Sequence, residues 1–244
     1  MSKANNKMDF MAIGAHADDI ELMAGGTVAK LVKMGKKGVF VDVTDASAGT
    51  RGSSEIRQKE ALQAAKSLGI LHRENLALPD SRLENNQESQ LSMIAVIRKY
   101  RPKILLTHYF KDEHPDHIAT AEIVDAARFK AGLKNFNCPG RAFRPERLFH
   151  FMGPEYFEPT FCVDISEYWT VKMKSVLCYK SQFFNSSAKE FKGKTDIASP
   201  EFLEYLEYKH RFFGWRIRRK YAEPFFCKEI PEMGDLTNLG GKRF

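Results

Sequence analysis

At 244 residues, 43% hydrophobic and 12% aromatic, the chain can bury a large core, which argues against a disordered protein. No apolar run approaches the ~20 residues of a membrane span, and the polar residues 1–7 lack a signal peptide's apolar centre, so a cytoplasmic protein is expected. The net charge of +7 leaves anionic partners open.

Residues 10–14, Phe-Met-Ala-Ile-Gly, read as a buried strand, and a small-residue turn then delivers His16, Asp18 and Asp19 to its end. Ile20, Leu22, Met23, Val28, Leu31 and Val32 continue as one side of a helix. Gly35-Lys36-Lys37-Gly38 signals a turn, 39–44 a second strand, and the Gly/Ser/Ala-rich 45–54 a loop. A helix is expected from Ser54, capped by Ser54 itself and stopped at Gly69. A weak strand over 74–78 and a helix over 86–100 follow, the latter stopped by Pro102. The apolar run 103–107 predicts a buried strand feeding the polar stretch 108–117, with a helix from Ile118 to Phe129. This alternation from 10 to about 130 predicts a parallel sheet with helices on both faces. Gly14, Gly25 and Gly26 do not fit Gly-x-Gly-x-x-Gly, so a dinucleotide site loses its main support.

Beyond Leu133, prolines punctuate short strands at 147–152 and 161–163, and helices are expected at 166–179 and 201–218. The polar stretch 184–199 between them reads as a surface loop or lid. Cys138, Cys162, Cys178 and Cys227 form no close pair, as suits a reducing compartment. Arg211, Arg216, Arg218, Arg219 and Lys220 could serve a nucleic-acid or anion-binding module, yet no nucleic-acid motif accompanies them and a solvated helix face accounts for them better.

Two buried aspartates beside a turn are costly without a compensating positive charge, and a metal ion supplies one. His16 and Asp19, three positions apart at a helix start, can converge on one point, and His114 and His117 repeat that spacing in the second polar turn. If the two strands are neighbours, the turns meet at a switch point of the sheet. Two imidazoles and a carboxylate with open positions suit catalytic Zn²⁺, and the same donors also suit Fe²⁺. Singly, each residue could be a helix cap or a core histidine; two matched turns are harder to explain that way. Asp18 need not coordinate and can accept a proton from an activated water. His114, if not a ligand, could stand as a cation beside an oxyanion, oriented by Asp116.

His16-Ala17-Asp18-Asp19-Ile20-Glu21 together with His114-Pro115-Asp116-His117 resembles the zinc-dependent N-deacetylases related to PIG-L and LmbE. Ala17, 55–61 (Glu-Ile-Arg-Gln-Lys-Glu-Ala), 161–168, 179–183 and 220–223 look like the bacillithiol-biosynthesis branch. The resemblance implies one Rossmann-like α/β/α domain over 1–244, with a core at about 8–130 and a smaller elaboration at about 131–244. It implies His16, Asp19 and His117 as metal ligands, Asp18 as general base, and His114 with Asp116 as electrophile and support. Arg57 matches a family arginine near the substrate, which would pair with an anionic aglycone such as malate. The implied substrate is a GlcNAc conjugate, GlcNAc-malate above other GlcNAc glycosides or chitin-derived oligosaccharides, and the implied assembly is a homo-oligomer, a hexamer. A family tyrosine at the oxyanion site would fall near Phe202 and Tyr205 here.

Overall fold

The computed structural model describes residues 7–183, 193–232, 234, 235 and 237. Strand β1 (Phe10–Gly14) has no polar side chain, tolerates burial on both faces, and is buried throughout. Its side chains alternate, so Phe10 and Ala12 enter one core while Met11 and Ile13 enter the other.

Strands β2 (Gly38–Thr44), β3 (His72–Leu78), β4 (Ile104–His108) and β5 (Arg147–Phe151) run parallel with β1 in the order β3-β2-β1-β4-β5. β7 (Ala222–Phe226) continues the sheet antiparallel to β5, and β6 (Phe161–Asp164) lies antiparallel beyond it. Helices α1 (Asp19–Lys33), α2 (Ser54–Ser67), α5 (Trp169–Val176) and α6 (Pro200–Arg216) contribute to the core on one face. Helices α3 (Gln87–Tyr100) and α4 (Pro115–Ala131) cover the other. The fold is the expected three-layer α/β/α arrangement. Phe10 pairs with Ile104 and Ala12 with Leu106, so β1 and β4 are neighbours where the strand order reverses.

Several boundaries differ from expectation for local reasons. Ser53, not Ser54, caps α2, its Oγ accepting from Ile56 N. α4 begins at Pro115 rather than Ile118, because His114 is its N-cap and Pro115 suits the first turn. His108 therefore ends a strand, and His117 stands in the first turn of a helix. α5 and α6 are shorter than their apolar periods suggest, and a 3₁₀ turn at Asp196–Ala198 precedes α6. The stretch 184–192, most of the expected loop or lid, lies outside the described residues.

β7 has no strand signature, since it holds Glu223 and Pro224. Pairing with β5 stops at Phe225, so the missing N–H of Pro224 costs no ladder bond there. Glu223 is fully buried and compensated at every oxygen. Its carboxylate accepts from Gly26 N (2.9 Å) and Thr27 N (2.6 Å) of α1 and from Lys172 Nζ of α5 (2.5 Å). Lys172, equally buried, also donates to Leu22 O (2.7 Å) and His210 Nε2 (2.8 Å). One ion pair thus fastens α1, α5, α6 and β7 together.

Candidate metal centre

The turn after β1 is tight because Gly14 has no Cβ; one built there would lie 3.0 Å from Asp19 Cβ and 3.1 Å from His16 O. Asp18 holds φ at +122°, a strained left-handed setting for a side-chain-bearing residue. Two contacts from α2 meet it there. The buried Arg57 donates through Nη2 to Ala17 O (2.7 Å) and to Asp18 Oδ2 (3.1 Å).

His16, Asp19 and His117 come together as buried groups whose donor atoms all lie within 4.8 Å of one another. His117 Nε2 is 3.4 Å from Asp19 Oδ1, and His16 Nδ1 is 3.6 Å from Asp19 Oδ2. Nitrogen and oxygen ligands at 2.0–2.2 Å around a tetrahedral ion sit about 3.3–3.6 Å apart, so the spacing fits a metal. The outward ring nitrogens fit one too. His16 Nε2 lies 3.3 Å from both Asp116 Oδ2 and Asp80 Oδ1, and His117 Nδ1 lies 3.1 Å from Asp112 Oδ1, near enough for an ion pair though off its N–H line. A metal-bound histidine is oriented by a carboxylate in the way that His16 is by Asp116, while Asp112 stands beside His117 without that hydrogen bond.

The electrostatics agree. Burial opposes charge on His16, yet hydrogen bonds to Asp116, Asp19 and Asp80 hold its pKa well above the ordinary value. Burial opposes charge on His117 as well, but Asp19 and Asp112 raise it to about 9. Asp19 stays ionised well below the usual range, because His117 and His108 outweigh its burial. The free chain therefore gathers protons where a cation would sit. Among the described residues two further groups, His16-His114-Asp116 and His108-Asp112-His117, also have metal-ligand spacing, but they share imidazoles with the first.

Asp18 stands beside the cluster without joining it. Burial pushes its carboxyl up to about 7, against the lowering pull of Arg57. His114 Nδ1 accepts from Asp116 N (3.2 Å), which leaves Nε2 to carry the ring proton. Burial, with His16 and His117 nearby, lowers the His114 pKa, which favours the neutral ring over the cation. Asp116 does not orient that ring through its carboxylate, which instead faces His16 and accepts from Ser81 N (2.8 Å) and Leu83 N (3.4 Å). Arg57, expected at an anionic aglycone, is occupied with Asp18. Phe202 has no donor and stacks on Phe183, and Tyr205 lies 64% exposed on α6.

Sequence reasoning missed Asp80, His108, Asp112 and His150. His108 Nε2 lies 3.1 Å from Asp19 Oδ2 and 3.0 Å from Ala15 N, its ring stacked on His117 at 4.0 Å. His150 Nδ1 donates to His108 O (2.7 Å) behind it. The usable signal was positional. Asp80 follows a third parallel strand, and His108 and Asp112 follow the fourth, all at the end where the first strand delivers His16.

A family model described as PIG-L, GlcNAc-PI de-N-acetylase, matches residues 11–128. A diacetylchitobiose deacetylase of Thermococcus kodakarensis is 30% identical over 197 residues, covering 73% of this chain and 72% of that protein. The chain belongs to the PIG-L family. Within the solved structures, a conserved protein of Thermus thermophilus, TT1542, superposes with a TM-score of 0.84 at 32% identity, covering 93% of this chain and 97% of that one. The fold alone is also shared with N,N'-diacetylchitobiose deacetylase of Pyrococcus horikoshii, at TM-score 0.77 and 24% identity over 89% of this chain and 82% of that one. The residues that the PIG-L resemblance implies as metal ligands, His16, Asp19 and His117, form one cluster, with Asp18, His114 and Asp116 around it.

Three of the basic residues near the end of α6 are paired with carboxylates. Arg211 pairs with Glu207 (2.8 Å), Arg216 with Glu158 (3.0 Å) and Arg219 with Asp164 (3.0 Å). Among the described residues no helix is long and apolar enough to cross a membrane.

Proposed function

We propose that the chain is a metal-dependent hydrolase that removes the N-acetyl group from a GlcNAc conjugate, with GlcNAc-malate of bacillithiol biosynthesis as its substrate. The observation that carries this reading is a strained, buried Asp18 beside the His16–Asp19–His117 cluster, whose ring nitrogens are braced by carboxylates. A Zn²⁺ ion held there, or Fe²⁺, supplies Lewis acidity toward water and the acetyl carbonyl. Asp18, held by Arg57, takes the proton as water adds to the carbonyl carbon. His114 Nε2–H donates to the oxygen on which charge develops. The proton passes to the amide nitrogen as the C–N bond breaks, leaving acetate and a free amine.

The 30% identity to a diacetylchitobiose deacetylase supports chitin-derived oligosaccharides as the competing substrate class. One experiment separates them: free-amine release from GlcNAc-malate, GlcNAc-inositol, GlcNAc and diacetylchitobiose, with and without chelator. GlcNAc-malate is expected to react fastest, chelator to abolish release, and added Zn²⁺ to restore it. No amine from any of the four in the Zn²⁺-loaded protein would end the deacetylase reading.

Four unpaired cysteines support a reducing, cytoplasmic setting. A homo-oligomer, hexameric by family resemblance, is supported by an aromatic stripe on α6. Tyr205, Tyr208, Phe212 and Trp215 recur at helical spacing and are 46–66% exposed. Tyr208→Glu is expected to lower the mass seen by sedimentation; a wild-type monomer would remove the proposal.

A further inference from the structure

An open cleft of about 440 Å³ lies at the carboxyl ends of β2 and β3, lined by Asp45, Ser47, Asp80, Ser81 and Arg82 among others. It borders the candidate metal centre, since Asp80 reaches His16 Nε2 with one oxygen while the other accepts from Ala48 N (2.8 Å). The rim bearing Arg82 is built to stay in place. Ser81 holds φ at +60° and Ala77 at +52°, settings that L side chains rarely adopt. The N–H groups on either side of Arg82, those of Ser81 and Leu83, are both fastened to the Asp116 carboxylate. Ala77 N is held by Asn75 Oδ1 (2.6 Å), and Leu78 O accepts from Asp45 N (3.0 Å).

Strained backbone persists only where its surroundings over-determine it, and here they fix the residue that carries a guanidinium. Arg82 is exposed and has no hydrogen bond or ion pair among the described residues. Arg57, the other arginine near the centre, is buried and holds Asp18. The same cleft carries the Ser47 hydroxyl and the Asp45 carboxylate, one oxygen of which accepts from Ser47 N (3.0 Å), and these suit sugar hydroxyls.

We propose that Arg82 is a specificity-determining residue that pairs with a carboxylate on the part of the substrate beyond the acetylated sugar. This rests on the deacetylase reading and moves recognition of an anionic aglycone from Arg57 to Arg82. A guanidinium fork matches a carboxylate with two parallel hydrogen bonds, and its attraction is screened by salt.

The test compares a GlcNAc glycoside of a hydroxydicarboxylic acid with its dimethyl ester. Wild-type enzyme is expected to prefer the acid in kcat/KM, chiefly through KM, and Arg82→Gln to reduce that preference by about 10-fold or more. Arg82→Lys should restore part of it, since it keeps the charge and loses the fork. A preference unmoved in Arg82→Gln overturns the proposal, including when both rates fall together because the loop is disturbed. Calorimetric binding of the same pair is measured in an Asp18→Asn background, with and without Arg82→Gln. If wild type hydrolyses neither glycoside, the deacetylase reading fails, and the proposal for Arg82 then stands or falls on whether the binding preference for the acid collapses.

Discussion

Asp18→Asn is expected to retain the metal content of the wild-type protein and to lose about 10²–10⁴-fold in kcat, the usual contribution of a positioned general base. Asn preserves the shape of the side chain and can still meet Arg57, but it cannot accept the proton of water. Near-wild-type turnover, measured alongside metal content, would take Asp18 out of the chemistry. The wild-type pH profile carries the same assignment. Asp18 works ionised, and burial pushes its carboxyl up to about 7 while Arg57 pulls it down. Activity should therefore rise with pH through a midpoint at or below about 7, since positive charge at the neighbouring cluster acts in the same direction as Arg57. Removing the guanidinium in Arg57→Met removes a lowering influence, so the midpoint should move to higher pH, with Arg57→Lys between the two. An unmoved acid limb in Arg57→Met would mean that the limb belongs to another group.

Lys172→Met is expected to be the most damaging change away from the centre. It leaves the Glu223 carboxylate in a fully buried position with two backbone N–H donors and no cation. Breaking a buried pair on one side typically costs about 3–5 kcal/mol. For a chain of this size that corresponds to a fall in Tm of roughly 6–20 °C. Differential scanning calorimetry on the metal-loaded protein decides the matter. A loss under about 1 kcal/mol would mean that Glu223 can take up a proton or water without cost, and that the pair is not what fastens α5 and β7 to α1.

These two sites mark what a reader of the sequence can and cannot reach. Asp18 was legible because β1 and β4 are buried on both faces, so their apolar runs end sharply at clustered polar residues. Neighbouring strands then bring those clusters together by the topology of the sheet alone. Asp80 was not legible in the same way. The run before it is half exposed at the sheet edge, and its contact with His16 spans 64 positions that no local spacing encodes. β7 was missed for the opposite reason. Its decisive residue is a buried glutamate that looks exposed until Lys172, 51 positions earlier, is placed beside it. Arg57 was found, but its bonds to Ala17 O and Asp18 were not, because a helical arginine's spacing does not say whether it faces ligand or backbone. In each case periodicity reported the environment of an element, while the partners of buried charge came from pairings distant in sequence.

The φ of +122° at Asp18 has one more consequence. A residue held in such a conformation typically costs a fold about 1–3 kcal/mol, and glycine adopts it without that cost. Position 18 is therefore a place where the chain is less stable than its own backbone would allow. Where Arg57 is also replaced by an apolar residue, so that no buried cation loses its partner, glycine at 18 is expected to raise stability while giving up the base. Asp18 marks a point where stability and activity pull the sequence in opposite directions.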